Sequence, residues 1–237
     1  MVLTKDDSFA NDLGLELQIR TKLIRFWSYI RSAAIRIGDD ILEIEGSDDP
    51  LLTDANNHYW INFEYQGELT TLGGFPVKYH LKDMYLSKRW FEIDLSSKYP
   101  GQKIVISSFK EFIRVDFQNG SNASFGNTVG MLGDFRSGKT LARDGVTELG
   151  DFSILGNEWQ VLPGEIMLFH DISRPQFPEK CIEPEDPRGD RRRRLGESLI
   201  TEGQAEAACA SIKDPFDRMD CAYDILATQD IGMVGAY

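Results

Sequence analysis

Short segments in which apolar and polar residues alternate, separated by turn-forming residues, dominate residues 13 to 118. LELQIRT shows this alternation, and AAIRIGDDILEIEG repeats it on both sides of the turn Gly38-Asp39-Asp40. A period of two residues is typical of strands with one buried face, and closely spaced turns favour antiparallel pairing. LIRFWSYIR, at residues 23–31, is rich in aromatic residues, which favours a strand there. The sequence therefore predicts a mainly β fold of layered antiparallel sheets, similar to a sandwich.

The alternation ends near His170. Residues 171–198 are rich in proline and charge and have no periodicity, which is typical of a linker. The sequence thus predicts a β domain at residues 1–170, a linker at 171–198 and a separate element at 199–237.

The segment 199–237 predicts a small α-helical hairpin at the C-terminus. Thr201 followed by Gln204 forms a capping box at the start of a first helix. Asp214 followed by Pro215 marks the start of a second helix, with the carboxylate as the cap.

The composition excludes two classes of partner. The 237 residues carry a formal net charge of −12, which would repel a polyanion, so we expect no nucleic-acid partner. No apolar run approaches the roughly 20 residues that cross a bilayer, so we expect no direct membrane insertion. Three tryptophans are expected in the sheet core, namely Trp60, Trp90 and Trp159.

Residues 133–140, GDFRSGKT, match the phosphate-binding pattern G-x-x-x-x-G-K-[ST]. The residues that would bind the nucleotide are Gly133, Gly138, Lys139 and Thr140. A working phosphate loop needs a buried strand before it and a helix after it, because helix-terminal N–H groups hold the phosphates. Here the chain reaches Asp144-Gly145 too soon to form that helix. A cytoplasmic nucleotide-binding protein is therefore the alternative function.

The same stretch resembles the signature of the von Willebrand factor type D domain, G-L-x-G-N-F followed by a loop and a closing D-G. The positions that carry the resemblance are Gly130, Leu132, Gly133, Asp134, Phe135 and Asp144-Gly145. Upstream, SAAIRIGDDILEIEGS resembles a strand pair of this family. Downstream, AEAACASIKDPFDRMDCAYDILAT resembles the cysteine-containing helical segment that follows such domains, so the resemblance covers most of the chain.

Two departures from the family pattern have structural consequences. The usual opening segment, G-D-P-H-x-x-T-F-D-G, is missing, so the resemblance implies that the chain begins midway through the domain. An incomplete sheet would expose an unpaired edge, which predicts self-association. Leu132 also replaces the signature cysteine, so the family's central disulfide cannot form.

The resemblance implies a non-catalytic module of a larger secreted or cell-surface protein, active in adhesion or matrix assembly. Its partners would be other domains of that protein or extracellular proteins. The sequence also lacks the H-E-x-x-H and G-x-S-x-G motifs, and we predict that the chain is not an enzyme.

The only cofactor that the resemblance suggests is calcium, which the family binds in the loop after G-N-F. Asp134 and Asp144 would supply carboxylate ligands. Calcium takes about six to eight oxygen ligands, whereas Arg136 and Lys139 place positive charge beside this loop. The opposing interpretation is a turn in which Asp134 caps backbone amides.

Cys209 and Cys221 lie on either side of the turn between the two predicted helices. The resemblance implies a disulfide between them, which would stabilise a hairpin too small to be held by core burial. Two buried thiols are the alternative. Cys181 would then be the odd cysteine, either free or paired with a partner in the missing N-terminal part of the domain.

Two further features suggest an extracellular protein. Asn119-Gly-Ser and Asn122-Ala-Ser are consecutive glycosylation acceptors in a predicted exposed turn. A basic run in this acidic chain consists of Arg191, Arg192, Arg193 and Arg194. This run is either a solvated loop that pairs with neighbouring acids or a site of proteolytic processing.

Overall fold

The computed structural model describes residues 1–24, 27–46, 58–65, 69–82, 88–171 and 200–237. The strands are β1 Val2–Asp6, β2 Leu15–Ile24, β3 Trp27–Ile37, β4 Asp40–Glu45, β5 Tyr59–Ile61, β6 Glu64–Tyr65, β7 Thr71–Leu72, β8 Phe75–Lys82, β9 Lys88–Asp94, β10 Lys103–Phe109 and β11 Phe112–Gln118. The helices are α1 Phe9–Asp12, α2 Asn122–Phe125, α3 Phe152–Glu158, α4 Glu202–Cys209 and α5 Pro215–Thr228, followed by a 3-10 helix at Ile231–Ala236.

The strands form two antiparallel sheets, so the predicted mainly β fold with a C-terminal helical region is confirmed. Six strands pair in the order β1-β2-β3-β4-β5-β6, and five in the order β11-β10-β9-β8-β7. Within each sheet, strands that pair are consecutive in the sequence, as is usual for antiparallel sheets. The predicted turn at Gly38 joins β3 to β4, and Gly38 adopts φ +62 there. A left-handed backbone of this kind favours glycine.

Inward-facing residues of both sheets form one apolar core. Leu17 and Leu42 of the six-stranded sheet are fully buried, and so are Ile93 and Ile106 of the five-stranded sheet. Along β9, buried residues alternate with half-buried ones, as expected for a strand with one face in the core. The alternation visible in the sequence therefore determines which face of each sheet is buried.

The outer face of the six-stranded sheet is also covered. Ala34 and Ile41, which point away from the main core, pack against Leu168 and Phe169. We call residues 166–171 the strap. Because the strap covers this face, β4 is buried on both sides.

The structure divides into two compact units. The first comprises Met1–Thr21 with Ile30–Glu183, and the second comprises Lys22–Tyr29 with Pro184–Tyr237. Almost all of the predicted linker lies outside the described residues, so the predicted domain boundaries stay predictions.

Both predicted helix starts of the C-terminal hairpin are confirmed. The Gln204 side chain accepts a hydrogen bond from the Thr201 amide at 2.9 Å, and Thr201 Oγ1 accepts one from the Gln204 amide at 3.4 Å. Asp214 Oδ1 accepts from the amides of Phe216 and Asp217 at 2.8 and 3.1 Å. These side chains satisfy donors that an uncapped helix leaves unpaired.

Candidate functional site

The glycine-rich segment forms a compact pair of turns. Between Gly133 and Asp151, all of which the structure describes, the chain contains no helix. Single β-bridges join Asp134 to Lys139 and Leu141 to Glu148. The strand–loop–helix arrangement of a phosphate-binding loop is therefore not formed at this position.

The backbone amides of this segment are engaged within the protein. Each amide from residue 133 to residue 139 donates a hydrogen bond to a nearby backbone or side-chain oxygen. The Gly133 amide, for example, donates to Gly130 O at 3.0 Å, and the Gly138 amide donates to Asp134 O at 2.8 Å. A phosphate loop instead points such amides at its ligand.

The two polar side chains of the predicted nucleotide site also bind within the segment. Lys139 Nζ lies 2.8 Å from Glu148 Oε2, and this hydrogen bond raises the pKa of Lys139. Thr140 Oγ1 donates to Leu149 O. Both contacts hold the two arms of the turn pair together.

The two predicted calcium ligands each cap their own turn. Asp134 accepts hydrogen bonds from the Arg136 amide at 3.0 Å and the Ser137 hydroxyl at 2.6 Å. Asp144 accepts from the Thr147 amide at 2.8 Å and the Thr147 hydroxyl at 2.6 Å. The hydroxyl hydrogen bonds lower the pKa of both carboxyl groups. This arrangement matches the capped-turn interpretation.

Calcium binding stays a prediction. Among the described residues, no group of three or more His, Cys, Asp or Glu side chains is placed to hold a metal ion.

The strap is held on the sheet by a buried amide side chain. Gln18, fully buried on β2, donates from Nε2 to Ile166 O at 2.7 Å and accepts from the Leu168 amide through Oε1 at 3.1 Å. The same Nε2 donates to Glu16 Oε1 at 2.6 Å. Gln18 thus acts like a strand neighbour for the strap, because it supplies one donor and one acceptor to its backbone.

A second contact joins the end of the strap to β4. Glu43 is 2% exposed, and its carboxylate accepts from the His170 amide at 2.7 Å while Oε1 lies 2.9 Å from His170 Nδ1. Burial raises the pKa of Glu43, although the hydrogen bonds from His170 act in the opposite direction. Arg20 also donates to Asp171 O and lies over the Phe169 ring.

Trp60 belongs to this outer-face contact, not to the core between the sheets. Its ring stacks on His170 with a centroid distance of 3.9 Å. Trp90, also outward-facing, stacks on His80 at 4.8 Å. The expectation that they pack in the core was wrong for these two rings, because each faces away from the apolar side of its strand. Trp159 is buried, but it lies in a separate cluster with Val2 and Leu155 and not in the core between the sheets.

In the hairpin, Cys209 and Cys221 form a disulfide that links α4 to α5, with their Cα atoms 6.1 Å apart. The buried residues of the hairpin are few, and most are small: Ala205, Cys209, Cys221, Ile225, Ala227 and Met233. A core of this size contributes little stability, so the covalent link matters more than it would in a large domain.

The remaining predicted sites are placed as follows. Asn119 and Asn122 are both exposed, and Asn119 Nδ2 donates to Gly101 O at 3.0 Å. Their glycosylation stays a prediction. Residues 191–194 lie outside the described residues, as does Cys181.

The strap contact was missed by sequence reasoning. Glu43 and His170 are 127 residues apart, and neither belongs to a motif. One signal was present: β4 carries apolar residues on both faces, including Ile41, which indicates that something covers its outer side.

A scan against models of known families finds no match, and a search of curated proteins finds no significant match. The resemblance to the von Willebrand factor type D domain therefore stays a prediction. No helix in the described part of the chain is long and apolar enough to cross a membrane.

Proposed function

We propose that this protein is a non-catalytic module of a larger secreted or cell-surface protein, with a role in adhesion or matrix assembly. Its partners are then other domains of the same protein or other extracellular proteins. The observation that carries the proposal is the Cys209–Cys221 disulfide. Disulfides persist in oxidising compartments and are rare in the cytosol.

The contacts that the polar side chains of the glycine-rich segment make within the protein support the same proposal. The predicted calcium ligands Asp134 and Asp144 accept hydrogen bonds within their own turns, and Lys139 pairs with Glu148 of the neighbouring turn. Side chains used in this way stabilise a rigid surface loop. Loops positioned by a rigid scaffold often carry binding residues, so this segment is suited to contact with a partner.

Peptide mapping by mass spectrometry without reduction tests the compartment. The protein purified from its natural source should yield Cys209 and Cys221 in one linked peptide, with glycan on Asn119 or Asn122. The same digest after reduction is the control, because the linked peptide must then separate into two. Free thiols and unmodified asparagines in the native material would contradict the proposal.

A nucleotide titration tests the alternative function. We expect no saturable binding of ATP or GTP to the wild-type chain, and no difference between Lys139→Ala and Arg136→Ala. The second variant removes a positive charge from a variable position of the same motif, so it is a matched control. Saturable binding that Lys139→Ala alone abolishes would establish a phosphate loop and overturn the proposal.

A further inference from the structure

At one end of the space between the two sheets, inward-facing positions become polar. On β9, Ile93 and Phe91 enter the core, and the next residue on the same face is Arg89. Arg89 pairs across the sheet with Ser108 of β10. An arginine therefore stands at a strand position where the alternation predicts an apolar side chain.

Arg89 lines a cleft between the sheets. The cleft has a volume of about 230 Å³, its open mouth included. Its lining residues come from both sheets and are Ile44, Glu45, His58, Tyr59, Tyr79, Arg89, Phe91 and Ser108. The enclosed part has room for about one water-sized group, so any ligand must place a small group at the bottom.

The Arg89 guanidinium has no partner among the described residues. Arg89 is only 8% exposed, and its buried Nε atom makes no hydrogen bond. Arg36 also has an unbonded Nε, but its Nη2 atom lies 3.1 Å from Glu16 Oε2. A buried charge without a partner is costly, so this site would gain stability from a ligand that brings the opposite charge.

The surroundings strengthen such an interaction. Tyr59, Tyr79 and Phe91 form an aromatic wall, with ring centroids 4.9 to 6.1 Å apart. Aromatic walls exclude water, and a charge pair is stronger where water is excluded. The one carboxylate in the lining, Glu45, lies 3.8 Å from Arg31 Nε. Arg31 is shared, because its Nη1 atom also lies 4.0 Å from Glu111 Oε2. However, no ion pair joins Glu45 to Arg89 among the described residues.

We propose that this cleft binds a single carboxylate group, with Arg89 as the charge partner and Ser108 beside it. The planar guanidinium presents two parallel donors that match the two oxygens of a carboxylate. A phosphate monoester carries about two negative charges at pH 7, more than one arginine balances, whereas a carboxylate carries one. The carboxylate belongs either to a small free acid or to an acidic side chain of a polypeptide.

A titration with sodium acetate, followed through the Nε–H resonance of Arg89, tests this site directly. We expect a saturable downfield shift with acetate at constant ionic strength. Acetamide, which has the same shape without the charge, and sodium chloride are the matched ligand controls. An equal shift with either control, or no saturable shift with acetate, would overturn the proposal.

Two variants connect the shift to the arginine. In Arg89→Met, acetate should no longer raise the thermal unfolding midpoint, whereas it should still do so in Lys88→Gln. Lys88 is the adjacent residue on the opposite face of β9, so its loss removes the same charge outside the cleft. Equal stabilisation of both variants by acetate would contradict the proposal. If Arg89→Met does not fold, the wild-type titration alone decides.

A blocked glutamate, N-acetyl-glutamate α-methylamide, identifies the source of the carboxylate. Binding at least tenfold tighter than acetate assigns the ligand to an acidic side chain of a polypeptide. Equal or weaker binding assigns it to a small free acid. Either result supports the carboxylate site, because both ligands share the group that Arg89 would hold.

Discussion

Glu43 is a buried carboxylate that holds the end of the strap through His170. Burial raises the pKa of Glu43 above its ordinary value of 4.5. The folded state therefore holds this proton more tightly than the unfolded state. The stability that Glu43 contributes is fully present below pH 4.5 and is lost as the pH rises through the raised pKa.

We expect Glu43→Gln to remove this pH dependence. The free energy of unfolding of the wild type, relative to the variant, should fall as the pH rises from below 4.5 through the raised pKa. The fall is about 1.4 kcal/mol for each unit by which the pKa is raised. Urea unfolding across this range measures it, with the partly exposed Glu45→Gln as the control. A relative stability that rises with pH would contradict the assignment.

Two glycines of the GDFRSGKT motif differ in the space around them. Both have a left-handed backbone, with φ +81 at Gly133 and φ +70 at Gly138. A Cβ atom on Gly133 would lie 2.4 Å from Lys139 O, whereas one on Gly138 would meet nothing within 4 Å. Gly138→Ala should therefore cost only the backbone strain, about 1 kcal/mol.

Gly133→Ala should cost at least twice as much, because the backbone around Lys139 must also move. Urea unfolding of the two variants measures both losses under the same conditions. Equal losses would mean that the close packing seen at Gly133 is absent in solution. The comparison therefore tests whether the glycines of the motif are needed for the packing of the turn, and it requires no nucleotide.

Among the elements, strands and capped helices were predictable and the strap was not. Strands such as β9 and the starts of α4 and α5 follow from residues adjacent in sequence, namely alternation, Thr201 and Asp214. The strap depends on Gln18, which binds it across about 150 residues and resembles any other polar residue of a strand. Local patterns carry no information on such a partner.

The N-cap of α5 offers a test at this scale. Asp214→Ala removes the side chain that accepts from two amides of the first turn, and should destabilise the helix by about 1 kcal/mol. Amide hydrogen exchange within α5 should become about fivefold faster, because that ratio corresponds to this free energy. Asp220→Ala, within the same helix, is the control and should leave exchange unchanged or slower, since alanine favours helices.

For the molecule as a whole, the sequence predicted layered antiparallel sheets. It did not predict the polar cleft around Arg89 at one end of the space between the sheets. Arg89 follows the same alternation as Phe91, and the pattern alone places a residue on the inner face without showing where the core ends. The position where the apolar core ends depends on how far the two sheets overlap. The sequence of a single strand does not determine this overlap. The cleft is therefore a property of the assembled sheets.

The two compact units should differ in their dependence on the disulfide. A link that closes a loop of 12 residues stabilises the folded state by about 3 kcal/mol in the chain-entropy model. The buried core between the sheets contains neither cysteine, so it should not respond to reduction. We expect a reductant to abolish exchange protection in peptides from α4 and α5 and to leave peptides from β8 to β10 unchanged.

Hydrogen exchange with mass spectrometry on the full chain measures both units in one experiment. Cys209→Ser should reproduce the effect of the reductant, and Cys181→Ser should leave the protection of α4 and α5 intact. These two variants each remove one sulfur, so their difference isolates the Cys209–Cys221 link from general effects of thiol loss. Loss of protection in β8 to β10 as well would show that the hairpin stabilises the sheets. Protection of α4 and α5 that survives reduction would show that their small core suffices without the disulfide.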